Sequence, residues 1–199
     1  MPNTVDYYFA PQSPWTYLGH DRFAAMARAA GAEVRVRPVD LGAVFKVSGG
    51  LPLGQRPAQR QAYRLVELQR FADHLKLAMN IKPRFFPVAG DPAAHLIIAV
   101  DLSDGTEAAM KFSRAVFNAV WAEERDIASE RVLADLLQET GLPAERLAES
   151  RGQPVQSRYA TDTNAAIEAG IFGAPSYVVD GEIFWGQDRL DFVQRRLGV

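Results

Sequence analysis

Residues 5–16 read Val5-Asp6-Tyr7-Tyr8-Phe9-Ala10-Pro11-Gln12-Ser13-Pro14-Trp15-Thr16. The β-branched and aromatic run 5–9 suits a buried strand, and Ala10-Pro11-Gln12 ends it in a turn. Ser13-Pro14 then has the chemistry of a helix start, a hydroxyl that can accept from first-turn amides followed by a proline where no N–H is needed. Leu18, Phe23, Met26 and Ala30 recur at helical spacing and predict a helix over residues 14–30, with Gly31 as its C-terminal stop. Glu33-Val34-Arg35-Val36-Arg37 alternates up to Pro38 and predicts a second strand. The chain therefore opens as strand, helix, strand.

The far end is equally readable. Ser176-Tyr177-Val178-Val179 and Glu182-Ile183-Phe184-Trp185 flank Asp180-Gly181, the dipeptide that suits the positive φ angles of a type I′ hairpin turn. A last helix is expected over 188–196. Between the two ends helical spacing predominates, predicting helices over 57–74, 92–103, 107–123, 130–140 and 156–169, with a short one near 144–149. Lys82-Pro83-Arg84-Phe85-Phe86-Pro87 interrupts them, and its two prolines predict an extended segment. The order βαβ, helical block, αββα fits an α/β thioredoxin-like mixed sheet made from both ends of the chain. Residues 1–45 and 155–199 would form it, and 46–154 would be a large all-helical insertion.

Composition narrows the function. A chain of 199 residues, 48% hydrophobic and 23% charged, can bury a sizeable core as one compact domain. Its net charge of −2 lacks the basic footprint that nucleic acid or an anionic membrane surface requires. With no cysteine, disulfides, thiolate metal sites, CxxC redox cycling and cysteine nucleophiles are excluded, so any thiol must come from a ligand. His20, His74 and His95 lack metal-ligand spacing and read as helix or surface residues; no metal is expected. Met1-Pro2-Asn3-Thr4-Val5-Asp6 has no signal-peptide pattern, and no apolar run is long enough to span a bilayer, which predicts a cytoplasmic protein.

Three constellations can carry chemistry. Ser13-Pro14-Trp15-Thr16 lies at the strand-to-helix junction where a thioredoxin arrangement carries its Cys-x-x-Cys pair. Free amides and the positive helix end favour an anion there, and the Ser13 hydroxyl can donate to a ligand thiolate; alternatively Ser13 only caps its helix. Phe172-Gly173-Ala174-Pro175 enters the hairpin where that fold places a cis-proline loop, leaving the Ala174 backbone free to pair with a peptide-like ligand; an ordinary trans proline at a strand end is the competing reading. In Gly186-Gln187-Asp188-Arg189, helix-start amides can take a carboxylate and Asp188 an ammonium, or Asp188 is merely an N-cap. Arg56, Arg60 and Arg64 recur every four residues; they read as a solvated helix face, with attraction of an anionic substrate as the alternative. Phe112, Val116, Val120 and Trp121 read as core or subunit contact.

These segments together resemble the 2-hydroxychromene-2-carboxylate isomerase family, relatives of the kappa-class glutathione transferases in the DsbA-like thioredoxin superfamily. Tyr8-Phe9 with Ser13-Pro14-Trp15, then Leu41-Gly42-Ala43-Val44-Phe45-Lys46, then Phe172-Gly173-Ala174-Pro175 with the run from Asp180 to Arg189 carry the resemblance along the whole chain. It implies a DsbA/kappa-type fold and a glutathione-dependent cis–trans isomerase of aromatic catabolism acting on a small aromatic carboxylate. The tripeptide thiolate would add reversibly to a ring-opened enone, allow rotation, and leave unchanged. By resemblance Ser13 holds the thiolate, Trp15, Ala174 and Pro175 flank the peptide part, and Gln187, Asp188 and Arg189 surround its γ-glutamyl end. Phe45, Lys46, Gly50 and Phe85 fall on the substrate side, and a homodimer is implied. Two departures lie on that substrate side. Val47-Ser48-Gly49-Gly50 stands where many members have Thr-Gly-Asn, and Pro83-Arg84-Phe85-Phe86-Pro87 where they have Pro-His-Phe-Pro. A kappa-like transferase and a noncatalytic peptide-binding module are the competing functions.

Overall fold

The computed structural model describes residues 4–199, so the first three residues of the expected 1–45 segment lie outside the description. The elements run β1 (Thr4–Phe9), α1 (Pro14–Ala29), β2 (Glu33–Pro38), α2 (Leu41–Ser48), a 3-10 turn (Leu53–Gln55), α3 (Ala58–Leu75), α4 (Asp91–Asp104) and α5 (Thr106–Trp121). They continue with α6 (Glu130–Thr140), α7 (Arg146–Glu149), α8 (Gln153–Glu168), β3 (Ser176–Val179), β4 (Glu182–Trp185), a second 3-10 turn (Gln187–Arg189) and α9 (Leu190–Leu197). One sheet of order β2-β1-β3-β4 joins the two chain ends, the arrangement expected of a thioredoxin-like fold. β1 is parallel to β2, from Thr4 opposite Glu33 to Phe9 opposite Pro38, and antiparallel to β3, with Tyr7 opposite Tyr177. The β3–β4 hairpin turns through Asp180 (φ 49°) and Gly181 (φ 80°), as the Asp-Gly reading requires.

β1 is hydrophobic on both faces because both are covered. Val5, Tyr7 and Phe9 point into a core shared with α1, α4, α5 and α6, whereas Tyr8 packs on the opposite face with Val39, Val44 and Ala166. Tyr7 stacks on Tyr177 with centroids 5.3 Å apart, and Phe23 packs against both rings. Phe112, Val116, Val120 and Trp121 of α5 are all buried in this core, which therefore runs without a break from the sheet into the helical block. On the Tyr8 side, buried Asp162 of α8 is held by Arg37 and by Arg158 at 2.6 Å, and Arg37 also reaches Asp6 at 2.7 Å. No helix among the described residues is long and apolar enough to cross a membrane.

Three local expectations are corrected. Helix α2 was not anticipated; Asp40 starts it by accepting from the Ala43 N–H at 3.0 Å. The segment 82–87 is a compact turn closed by the Phe86 N–H on the Pro83 carbonyl at 3.1 Å, not an extended stretch. Residues 187–189 form a 3-10 turn, so α9 begins at Leu190 and Asp188 does not cap it. His20, a helix residue as read, lies buried in α1, contacts the Tyr7 hydroxyl at 3.2 Å and donates from Nε2 to the Met110 carbonyl at 3.0 Å.

Candidate active site

At the start of α1 the Ser13 Oγ accepts from the Thr16 N–H at 3.3 Å, so this serine does cap its helix. The same hydroxyl donates to the Ala174 carbonyl at 3.5 Å, across from the Ala174–Pro175 peptide, which is cis as expected. The donated contact is at the long end of hydrogen bonding, which leaves the hydroxyl proton weakly held and free to turn to a stronger acceptor. Pro14 has no N–H, and the Tyr17 N–H already bonds the Ser13 carbonyl at 3.1 Å. Trp15 thus presents a first-turn amide without an intrahelical acceptor.

The loop after the hairpin is tied to this pair. The Gly186 N–H donates to the Pro175 carbonyl at 2.9 Å, and Arg22 of α1 donates to the Gln187 carbonyl at 3.0 Å and to its side-chain oxygen. Gln187 is buried and its Nε2 has no partner among the described residues. Asp188 and Arg189 pair at 2.6 Å near the surface. The N-terminus of α1, the cis-proline loop and residues 186–189 therefore converge, as the sequence reading expects.

What they converge on is a cavity of about 500 Å³. Trp15, Ala174 and the segment 185–189 form one side, and α3 forms the other with Gln59, Tyr63, Glu67, Phe71 and its arginines. Trp15 meets Phe71 edge to face at 6.1 Å. Arg56, Arg60 and Arg64 all line this cavity, which corrects their reading as a solvated face: Arg64 is buried, and only Arg60 is exposed. Burial and the neighbouring Arg56 bring the Arg64 guanidinium down to about 10, still protonated at neutral pH; burial and Arg60 lower Arg56 as well. With Arg189, four guanidiniums face two carboxylates, Glu67 and Asp188, so the walls favour anions.

Of the site residues expected from sequence, Trp15, Ala174, Gln187, Asp188 and Arg189 line the cavity, with Ser13 and Pro175 bonded directly behind them. Phe45, Lys46, Gly50 and Phe85 are not among its lining. The Phe45 ring covers the Gly50 backbone, Lys46 is exposed in the last turn of α2, and Phe85 lies on the surface with the Arg84 guanidinium 5.3 Å from its ring. The neighbouring Phe86 instead supports Arg64, at 5.2 Å. The fourfold arginine spacing was the available signal for the α3 wall, but spacing alone does not say which way a helix face points.

Comparison with known proteins identifies the fold and family. The model of the DSBA-like thioredoxin domain family matches residues 4–198. A 2-hydroxychromene-2-carboxylate isomerase from Pseudomonas putida is 30% identical, the match covering 98% of this chain and 94% of that one. Glutathione S-transferase kappa 1 from Homo sapiens is 27% identical over 100% of this chain and 92% of its own. The solved structure of a 2-hydroxychromene-2-carboxylate isomerase superposes with a TM-score of 0.79 at 28% identity, covering 98% of this chain and 94% of that chain.

Proposed function

The chain belongs to the DSBA-like thioredoxin family and, within it, to the 2-hydroxychromene-2-carboxylate isomerases, and from that membership we propose that it is a glutathione-dependent cis–trans isomerase of 2-hydroxychromene-2-carboxylate-type compounds. The observation that carries the reading is the juxtaposition of a serine-capped, cysteine-free helix terminus and a cis-proline loop with a cavity walled by arginines. Glutathione, when bound, supplies the thiolate that this chain lacks. The residues present fit it. The weakly engaged Ser13 hydroxyl and the Trp15 amide can stabilise a sulfur anion. Asp188 can accept from the ammonium of the tripeptide.

On the substrate side the arginine wall orients an anionic substrate and stabilises negative charge as it develops on the substrate oxygen, an effect strengthened by the partial exclusion of water. Trp15, Tyr63 and Phe71 give a planar substrate flat surfaces to lie against.

A kappa-like transferase would use the same thiolate, and the kappa relative at 27% identity favours considering it. Stoichiometry separates the two. With glutathione far below substrate, an isomerase converts many substrate molecules per glutathione and the free thiol is recovered. Consumption of one thiol per turnover would establish the transferase, and calorimetry that finds binding of extended peptides but none of glutathione would favour the peptide-binding module.

A further inference from the structure

Half-buried Arg22 and Arg56 donate to Gln187 and to the Leu51 carbonyl, whereas Arg37 pairs with Asp6 and Asp162, and Arg146 with Asp104 and Glu149. Arg64 is more deeply buried than any of these, yet no carboxylate among the described residues lies within ion-pairing distance of it. Its guanidinium lies instead over two apolar rings that touch each other, 5.2 Å from the Phe86 centroid and 5.9 Å from that of Trp121. The charged neighbour that affects it most is another cation, Arg56. Glu67, on the same helix, lines the cavity without bonding to it.

A buried cation without a counter-ion is costly, and the ring faces offset only part of that cost. The missing partner is therefore to be sought in the cavity that Arg64 lines. A planar guanidinium matches a carboxylate with two parallel hydrogen bonds, and Phe71, two turns along the same helix, sets an aromatic surface on the same wall. Asp188 and Arg189, beside the Ala174 loop, are already a pair and suit a zwitterionic ligand end rather than a lone carboxylate. We propose that Arg64 is the carboxylate receptor of the cavity and takes the acid group of a planar aromatic substrate, whose ring lies against Trp15 and Phe71. The inference rests on reading this cavity as the substrate site.

The test is a calorimetric titration of the purified protein with benzoate and with benzamide, its neutral counterpart, beside a titration with glutathione. Wild type, Arg64→Gln and Arg64→Lys are compared. Wild type should prefer benzoate over benzamide by about tenfold or more, Arg64→Gln should lose that preference, and Arg64→Lys should keep part of it. Glutathione affinity should change less than about twofold, a difference well under the tenfold of a lost charged contact. Ligand-free Arg64→Gln should melt no lower than wild type, because it removes an uncompensated buried cation.

An unaltered benzoate preference in Arg64→Gln overturns the assignment, and a lowered melting temperature alongside it would mark Arg64 as a structural cation. Loss of glutathione affinity with the benzoate preference intact would also overturn it, moving Arg64 to the tripeptide's carboxylate. If wild type binds no glutathione while the benzoate preference still follows Arg64, the isomerase reading fails and the carboxylate site stands.

Discussion

Replacing Ser13 by alanine removes one oxygen with two functions, and the geometry separates them. As an N-cap the oxygen accepts from Thr16 at 3.3 Å, long for such a bond, so its loss should cost about 1 kcal/mol of stability or less. As a donor its only acceptor among the described residues is the Ala174 carbonyl at 3.5 Å, a contact too weak to compete with a thiolate. A hydrogen bond to a charged partner is worth roughly 1.5–3 kcal/mol, which corresponds to about one to two pH units in the titration of a bound thiol. The helix terminus, the Trp15 amide and the arginine wall all remain in the variant, so the thiol should still titrate below its ordinary value near 8.5, but closer to it. Ultraviolet thiolate absorbance of bound glutathione, followed against pH beside the melting temperature, reads both effects. Identical thiolate titrations in wild type and Ser13→Ala would refute the role given to the hydroxyl, whatever happened to the melting temperature.

Asp188→Ala should weaken glutathione binding about tenfold while leaving the melting temperature nearly unchanged, because the side chain is surface-paired with Arg189; an unaltered dissociation constant removes it from the site. In Gly19→Ala the new methyl would stand 2.7 Å from the Gln187 Cβ and 2.9 Å from the Tyr177 hydroxyl, so thermal unfolding should show a loss of about 1–3 kcal/mol and calorimetry a weaker glutathione affinity. A variant with wild-type melting and affinity would contradict that packing. Burial holds His20 near 4, whereas the unfolded chain protonates it near 6.5. The unfolded state thus binds the extra proton in that interval, and stability should fall by about 3 kcal/mol from this residue as pH drops from 6.5 to 4. His20→Gln should flatten that limb of a melting-temperature profile; an unchanged slope would show that other groups set it.

The parts of the molecule legible in the sequence are those whose determinants are local. Strand β1, the Ser13-Pro14 helix start and the Asp180-Gly181 hairpin each depend on a handful of adjacent residues, and all three form where the pattern puts them. Helix α2 was missed although its cap, Asp40, is visible in sequence: eight residues with two central apolar positions give too short a run for periodicity to declare itself. The turn at residues 83–86 was missed because prolines are equally compatible with extended chain and with turns. That turn also decides which of two adjacent phenylalanines matters, sending Phe86 toward Arg64 and leaving Phe85 at the surface. The direction of the α3 arginines was illegible for a related reason. It is set by Phe86, Trp121 and Phe71 meeting Trp15, contacts between distant parts of the chain that no local window contains.

The distribution of charge around the cavity bears on orientation as well as affinity. A helix terminus and four arginines would hold a polyanionic ligand almost equally well in several poses, since each separate attraction is to negative charge of any origin. The two carboxylates break that equivalence. Asp188 lies beside the cis-proline loop, where a ligand ammonium gains and a second carboxylate is repelled, while on the opposite wall the cations Arg56, Arg60 and Arg64 outnumber Glu67. Under the proposed function a zwitterionic thiol and a planar acid would therefore have different best positions in one cavity, and the sulfur of the first would be drawn to the helix end between them. The discrimination comes from the repulsive pairings as much as the attractive ones, because wrong poses place carboxylate against carboxylate in a partly desolvated site.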